Sequence, residues 1–140
     1  MTSVIVAIAA AAGLAAVAGW LFTRRSGKLR TIKPESTGTH SPDVADLNLS
    51  RTGPTVVHFS ATWCGPCEQA RRVVNEVCGD LGDVAHVEVD LDTNPEAARR
   101  HSVLSLPTTL IFDADGRPRY RTAGVPKAAD LRSALLPLLA

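Results

Sequence analysis

No glycine fingerprint for a dinucleotide, no internal repeat, no strong charge of one sign and no second cysteine pair occur in these 140 residues. Each absence removes a class of function. Without a G-x-G-x-x-G segment at a strand-to-helix junction, the chain has no nucleotide cofactor of its own, and none is expected. The formal net charge is only +1, and residues 43–140 carry 10 Lys or Arg against 13 Asp or Glu. That mildly acidic balance argues against nucleic acid as a partner. The four histidines, His40, His58, His86 and His101, are scattered, and with three Cys they form no paired ligand set of the kind tetrahedral zinc requires. No metal site is expected. Aromatic residues make up 4% of the chain but hydrophobic ones 45%, which is compatible with one compact core plus an appendage.

The appendage comes first. Val4 to Phe22 is an uninterrupted run of 19 uncharged, mostly apolar residues, about the length that crosses a bilayer as a helix. Eight of the 19 are Ala and two are Gly, so insertion rests on the Val, Ile and Leu residues together with Trp20 and Phe22. No Lys or Arg precedes the run, which speaks against a cleaved signal peptide, although Ala16-Val17-Ala18 mimics a cleavage site. Arg24, Arg25, Lys28, Arg30 and Lys33 all follow it, and basic flanks stay on the cytoplasmic side. The expectation is a single-pass plasma-membrane protein with residues 1–25 as anchor and basic flank, its N-terminus outside and its domain cytoplasmic. The alternative places the domain outside the cytoplasm. The basic flank either adds attraction to anionic headgroups or serves as a topology signal only.

Residues 26–44 are polar, with Gly27, Pro34, Gly38 and Pro42 among Ser and Thr, and read as a flexible linker. A single domain is expected over 45–140. Asp43 to Leu49 suggests a short helical turn, and Gly53-Pro54 leads into Thr55 to Ser60, a buried-strand pattern broken by His58. A helix from Cys64 to about Asp80 has Ala70, Val73, Val74 and Val77 as its apolar stripe and Gly79 or Gly82 as its stop. In Val84 to Asp90, Ala85, Val87 and Val89 alternate with His86, Glu88 and Asp90, and Asn94-Pro95-Glu96 then opens a short helix toward His101. This makes a β-α-β unit with parallel strands. Leu106 to Phe112 is a third strand, Asp113 to Gly116 turns the chain into Arg117 to Thr122 as an antiparallel hairpin, and a last helix runs from Lys127 to about Leu136.

The densest chemistry is Trp63-Cys64-Gly65-Pro66-Cys67 at the first strand-to-helix junction. A helix N-terminus presents unsatisfied N–H groups and roughly half a positive charge, which favour a thiolate. Cys64 is therefore the expected nucleophile. Cys67, one helical turn on, can reach it and close a small disulfide ring, which makes it the resolving thiol. Gly65 is expected to relieve crowding at the ring, and Pro66 sets φ in the first turn, where its missing N–H costs nothing. Cys78 has no Cys partner at suitable spacing and reads as a small, partly buried side chain.

This motif, a Ser105-Leu106-Pro107-Thr108 segment before the third strand and the β-α-β-α-β-β-α order together resemble the thioredoxin family over about residues 45–140. A Cys-x-x-Cys alone is a weak signal, but the Trp before it, the Gly-Pro inside it and the spacing of Pro107 strengthen it. The resemblance implies an α/β thioredoxin fold, a central mixed sheet flanked by helices, here preceded by the transmembrane helix. It implies a protein-disulfide reductase, probed by its clients at a groove in which Trp63 forms the apolar floor. There Pro107, after a cis bond, packs against the sulfurs, Leu106 offers backbone groups to a client strand, and Gly124 keeps the third side open. Disulfide-containing client proteins and a thioredoxin reductase or equivalent electron donor are the implied partners, and a monomer is expected.

The chain departs from the family in three places. His58 stands where a buried Asp is usual, and His86 where a Lys is frequent. A neutral imidazole at 58 can take the proton of Cys67 in place of a carboxylate, or can simply pack in the core. Arg71 and Arg72 stand where a proline often kinks the active-site helix, so a straighter helix is expected. Two functional alternatives to a reductase remain: an extracytoplasmic thiol-disulfide exchange protein, and a redox-dependent binding module without turnover.

Overall fold

A computed structural model describes residues 2–25, 27–32 and 47–140. The expected tether and the helical turn from Asp43 fall largely on residues 33–46, outside the described residues. Helix α1 runs over Thr2–Arg25. Its 24 residues rise about 36 Å at 1.5 Å each. Ile5, Val6, Ile8, Leu14 and Val17 are all more than half exposed on it. Among the described residues no helix is long and apolar enough to cross a membrane. The transmembrane helix expected over residues 1–25 is thus not found, although the segment is helical.

The remaining elements are β1 (Arg30–Thr31), β2 (Thr55–Ser60), α2 (Gly65–Leu81), β3 (Ala85–Asp90), α3 (Pro95–Arg100), β4 (Thr108–Phe112), β5 (Pro118–Ala123) and α4 (Ala128–Leu135), closed by a 3-10 turn at Leu136–Leu138. The five strands form one mixed sheet in the order β1-β5-β4-β2-β3, with β2 parallel to β3 and antiparallel to β4. β2 lies inside the sheet and all six of its residues are buried, as its short apolar run implies. One side of the sheet packs Val56 and Ile111 against Val74 and Val77 of α2 and Leu131 and Leu135 of α4. The other packs Val57, Phe59, Leu110 and Phe112 against Ala97 and Ala98 of α3 and against Leu47.

β1 arises where a flexible linker was expected. Arg30 pairs with Arg121 and Thr31 with Tyr120 of β5. The Gly27 N–H donates to the Ala123 carbonyl at 2.7 Å, and the Ile32 N–H to that of Arg119 at 2.8 Å. A two-residue strand has no alternation to read, and it exists because β5 offers an open edge. Gly27 is required there: its φ is +83°, and an added Cβ would lie 2.2 Å from the Val125 carbonyl oxygen. α2 is one continuous helix through Arg71 and Arg72, ending at Gly82, whose N–H donates to the Cys78 carbonyl at 3.0 Å.

Candidate active site

Antiparallel pairing aligns Phe59 of β2 with Thr108 of β4, and Thr108 with Ala123 of β5. The loops that follow β2, precede β4 and follow β5 therefore leave the sheet at one end. That end brings together Trp63 and Cys64, Leu106 and Pro107, and Gly124. Cys64 is the N-cap of α2, with extended backbone and no side-chain cap; in the first turn Pro66 has no N–H and the Cys67 N–H donates to the Cys64 carbonyl at 3.2 Å, so it is chiefly the positive end of the helix dipole that favours a negative charge on Cys64. Cys64 and Cys67 are joined by a disulfide with Cα atoms 5.4 Å apart. Cys64 is partly exposed, whereas Cys67 is 1% exposed. Of the two cysteines, only Cys64 is reached by solvent to any extent.

The Leu106-Pro107 bond is cis, and the Pro107 carbonyl accepts the Gly124 N–H at 2.8 Å. Gly124 has φ +88°, a backbone position that favours glycine. Pro107 is buried and Leu106 partly exposed. One expectation is corrected, that for Gly65. Trp63 is 68% exposed, and its indole N–H donates to Asp92 Oδ1 at 3.3 Å. An added Cβ at Gly65 would meet nothing within 4 Å, so crowding does not explain that glycine. Among the described residues no group of His, Cys, Asp or Glu is placed to hold a metal ion.

Beneath α2 lies a polar column. Counting alternate residues from Val56, His58 and Ser60 face α2, as do His86 and Glu88 on β3. His58 is fully buried, and its ring stacks on that of His86 with centroids 6.2 Å apart. Neither ring nitrogen of His58 has a hydrogen-bond partner among the described residues. Glu88, paired in register with His58, accepts from Ser60 Oγ at 2.6 Å and from both Nε and a terminal nitrogen of Arg71 at 2.8 and 2.7 Å. Arg71 also bonds Glu68, while Asn75 Oδ1 lies 2.7 Å from His86 Nδ1. The stripe Cys67, Arg71 and Asn75, at intervals of four, thus sets the resolving cysteine in line with the two side chains that tie α2 to β3.

Sequence reading missed Ser60, Arg71, Asn75 and Glu88. The signal was the polar half of the β3 alternation, whose side chains face α2 on a half-buried strand. Hydrogen bonds from Arg71 hold the Glu88 carboxyl down at about 2, so it remains an anion. Burial pushes His86 down and takes His58 down to about 4, against the pull of Glu88. Burial pushes the free Cys78 thiol up to about 11, which makes it inert near neutrality.

A stability prediction follows from His58. The unfolded chain binds a proton there near pH 6.5, the folded chain only near pH 4, so the native state binds fewer protons between those values. Stability should fall as pH drops through this window, by about 3 kcal/mol in all from this residue. Urea unfolding at pH 7 and pH 4.5 checks it. A His58→Leu variant should lose most of the difference; a parent equally stable at both pH values would contradict the buried neutral ring.

A family model described as thioredoxin matches residues 36–136. The thioredoxin of Mycolicibacterium smegmatis is 44% identical over 88 residues, 60% of this chain and 78% of that protein. A bifunctional thioredoxin reductase/thioredoxin of Mycobacterium leprae is 43% identical over 86 residues, 60% of this chain and 19% of its own length. Among solved structures, chloroplastic thioredoxin z is similar with a TM-score of 0.59 and 32% identity, over 78% of this chain and 96% of that one.

Proposed function

The chain belongs to the thioredoxin family and is a thiol-disulfide oxidoreductase, and from that premise we propose that it reduces protein disulfides in the cytoplasm from a membrane-tethered position. The observation that carries the reading is the disulfide itself, with one sulfur partly exposed at a helix N-terminus and the other buried. In the reduced protein the Cys64 thiolate attacks a client disulfide and forms a mixed disulfide, and the departing client sulfur takes up a proton. Cys67 then gives its proton to a base and attacks Cys64 Sγ, expelling the second client sulfur. The client gains two electrons and two protons, and the enzyme is left with the ring seen here. Disulfide-containing clients and reductase partners belong to the family in general. The fused reductase of the Mycobacterium leprae relative supports a thioredoxin reductase as the electron donor here.

We assign the proton-accepting role to His58. Its ring is neutral at pH 7, has both nitrogens unpartnered among the described residues and faces the helix that bears Cys67. A ring held at about 4 is a weak base, and Glu88, the anion paired with it across the sheet, supports the imidazolium that forms. A His58→Ala variant is expected to slow resolution of the mixed disulfide and to change its pH profile. An unaltered rate and profile would leave His58 a packing residue.

The tether rests on the 19-residue apolar run and the basic residues after it. Only Ser26 separates the end of α1 from Gly27, which is already hydrogen-bonded to β5 one residue before Gly124. Anchored this way, the redox groove would sit close to the bilayer. In intact cells held under reducing conditions, a membrane-impermeant thiol reagent should label Cys64 only after lysis. Labelling before lysis would overturn the inward topology and favour extracytoplasmic thiol exchange.

A further inference from the structure

We propose that Leu104 is a client-gripping residue: exposed, like Trp63, at the end of the sheet that bears the disulfide, it offers apolar surface to a polypeptide that carries an apolar side chain beside its disulfide. Leu104 is 93% exposed, more than any other large hydrophobic residue described outside or inside α1. A single exposed leucine is ordinary. Its setting is not. Leu104 stands three residues before Pro107, in the loop that leaves the sheet at the end where Cys64 is presented. A client whose sulfur reaches Cys64 has flanking chain at this same end of the sheet.

The loop is held rigidly while its leucine is left bare. The Ser102 N–H donates to the Arg99 carbonyl at 3.0 Å and the Val103 N–H to the Ala98 carbonyl at 2.8 Å. Arg121 of β5 donates to the carbonyls of His101 at 2.8 Å and Ser102 at 2.5 Å. Beyond Leu104, Thr108 Oγ1 donates to the Ser105 carbonyl at 2.7 Å. Ser102 has φ +50°, a conformation that these bonds sustain. Val103 and Leu106 are partly buried and pack against the core cluster that contains Phe59 and Phe112. Of the loop's three apolar residues Val103, Leu104 and Leu106, only Leu104 is fully exposed. An apolar side chain on a loop fixed on both sides loses little freedom when a partner covers it, so its burial converts efficiently into affinity. Trp63, likewise exposed and tied by its indole N–H to Asp92, is a second apolar side chain at this end of the sheet. Trp is among the residue types that most often carry the energy of a protein interface.

The occupant is a client polypeptide, not a small disulfide, because a small molecule bound at Cys64 need not span the distance to the loop. The test compares full-length parent with Leu104→Ser, Leu104→Arg and Leu104→Met. The substrates are insulin, a protein disulfide, and 5,5′-dithiobis(2-nitrobenzoate), a small one. Leu104→Ser should lower kcat/KM for insulin about 10-fold, chiefly through KM, and Leu104→Arg at least as much. Leu104→Met should restore it, and the small disulfide should be reduced within about twofold of parent throughout. Thermal midpoints should not move, since the side chain packs against nothing that folding buries. Equal losses on both substrates would overturn the proposal, as would insulin kinetics unaffected by Leu104→Arg.

Discussion

Replacing Cys64 by Ser should abolish protein-disulfide reduction, with a loss of about 10⁴-fold or more in kcat/KM against insulin. The size of the effect follows from the chemistry. A serine hydroxyl is not ionised near neutrality, even at a helix N-terminus, and an alkoxide has no favourable exchange with a disulfide. Nothing else can substitute: Cys67 is 1% exposed and Cys78 is buried with its thiol pushed up to about 11. The complementary variant separates the two sulfurs. Cys67→Ser should still permit the first attack, because Cys64 keeps its exposure and its place at the N-cap. Ring closure would fail, so the protein should accumulate as a mixed disulfide with its client, visible as a reductant-sensitive mass increase after one turnover. Residual turnover in Cys64→Ser, or a mixed disulfide trapped on Cys67 instead, would invert the roles.

The largest stability loss is expected from Phe59→Ala. Phe59 is fully buried on β2 and packs with Val57, Leu110, Phe112 and Leu47, its ring 6.1 Å from that of His101. Removing a buried phenyl group costs about 3–5 kcal/mol, from lost transfer energy and the cavity left behind. A domain of this size is stable by only about 5–15 kcal/mol, so the variant should be marginal, with its melting temperature lowered by at least about 12 °C. With three Phe, two Trp and one Tyr in the chain, few side chains of that volume exist to repack the space. Trp63→Ala is the internal contrast: that ring is 68% exposed and its loss should change stability by about 0.5 kcal/mol or less. Urea unfolding at pH 7 measures both. A cost below about 1 kcal/mol at Phe59 would remove it from the core.

The β2, α2, β3, α3, β4, β5 and α4 pattern was legible along the chain because each element has its own local signature. β2 is a short apolar run, α2 an apolar stripe ended by glycine, and α3 starts with Asn94, whose side chain accepts the Ala97 N–H at 3.2 Å. The two sulfurs were legible for the same reason. Three residues of spacing at a strand-to-helix junction put them one turn apart, and the disulfide is found there. Gly124 and Pro107 were identified only through a family resemblance, since no local rule pairs residues 17 apart. Their hydrogen bond is a product of the sheet.

What the amino-acid order determined by itself is local: the period of each element, the two thiols at a helix start, and an apolar segment followed by basic residues. Tertiary structure alone decided which surface each pattern would meet. The alternation of β3 is the same whether its polar face meets water or a helix, and only packing put His86 and Glu88 under α2, beside Asn75 and Arg71. β1 has no signature of its own and forms because β5 leaves an edge unpaired. Likewise, a leucine three residues before Pro107 gives no sign of its exposure. Bonds from Arg121 and the packing of Val103 against the core leave Leu104 outside. Periodicity is carried by neighbours in the chain, whereas burial and pairing depend on residues far apart in it.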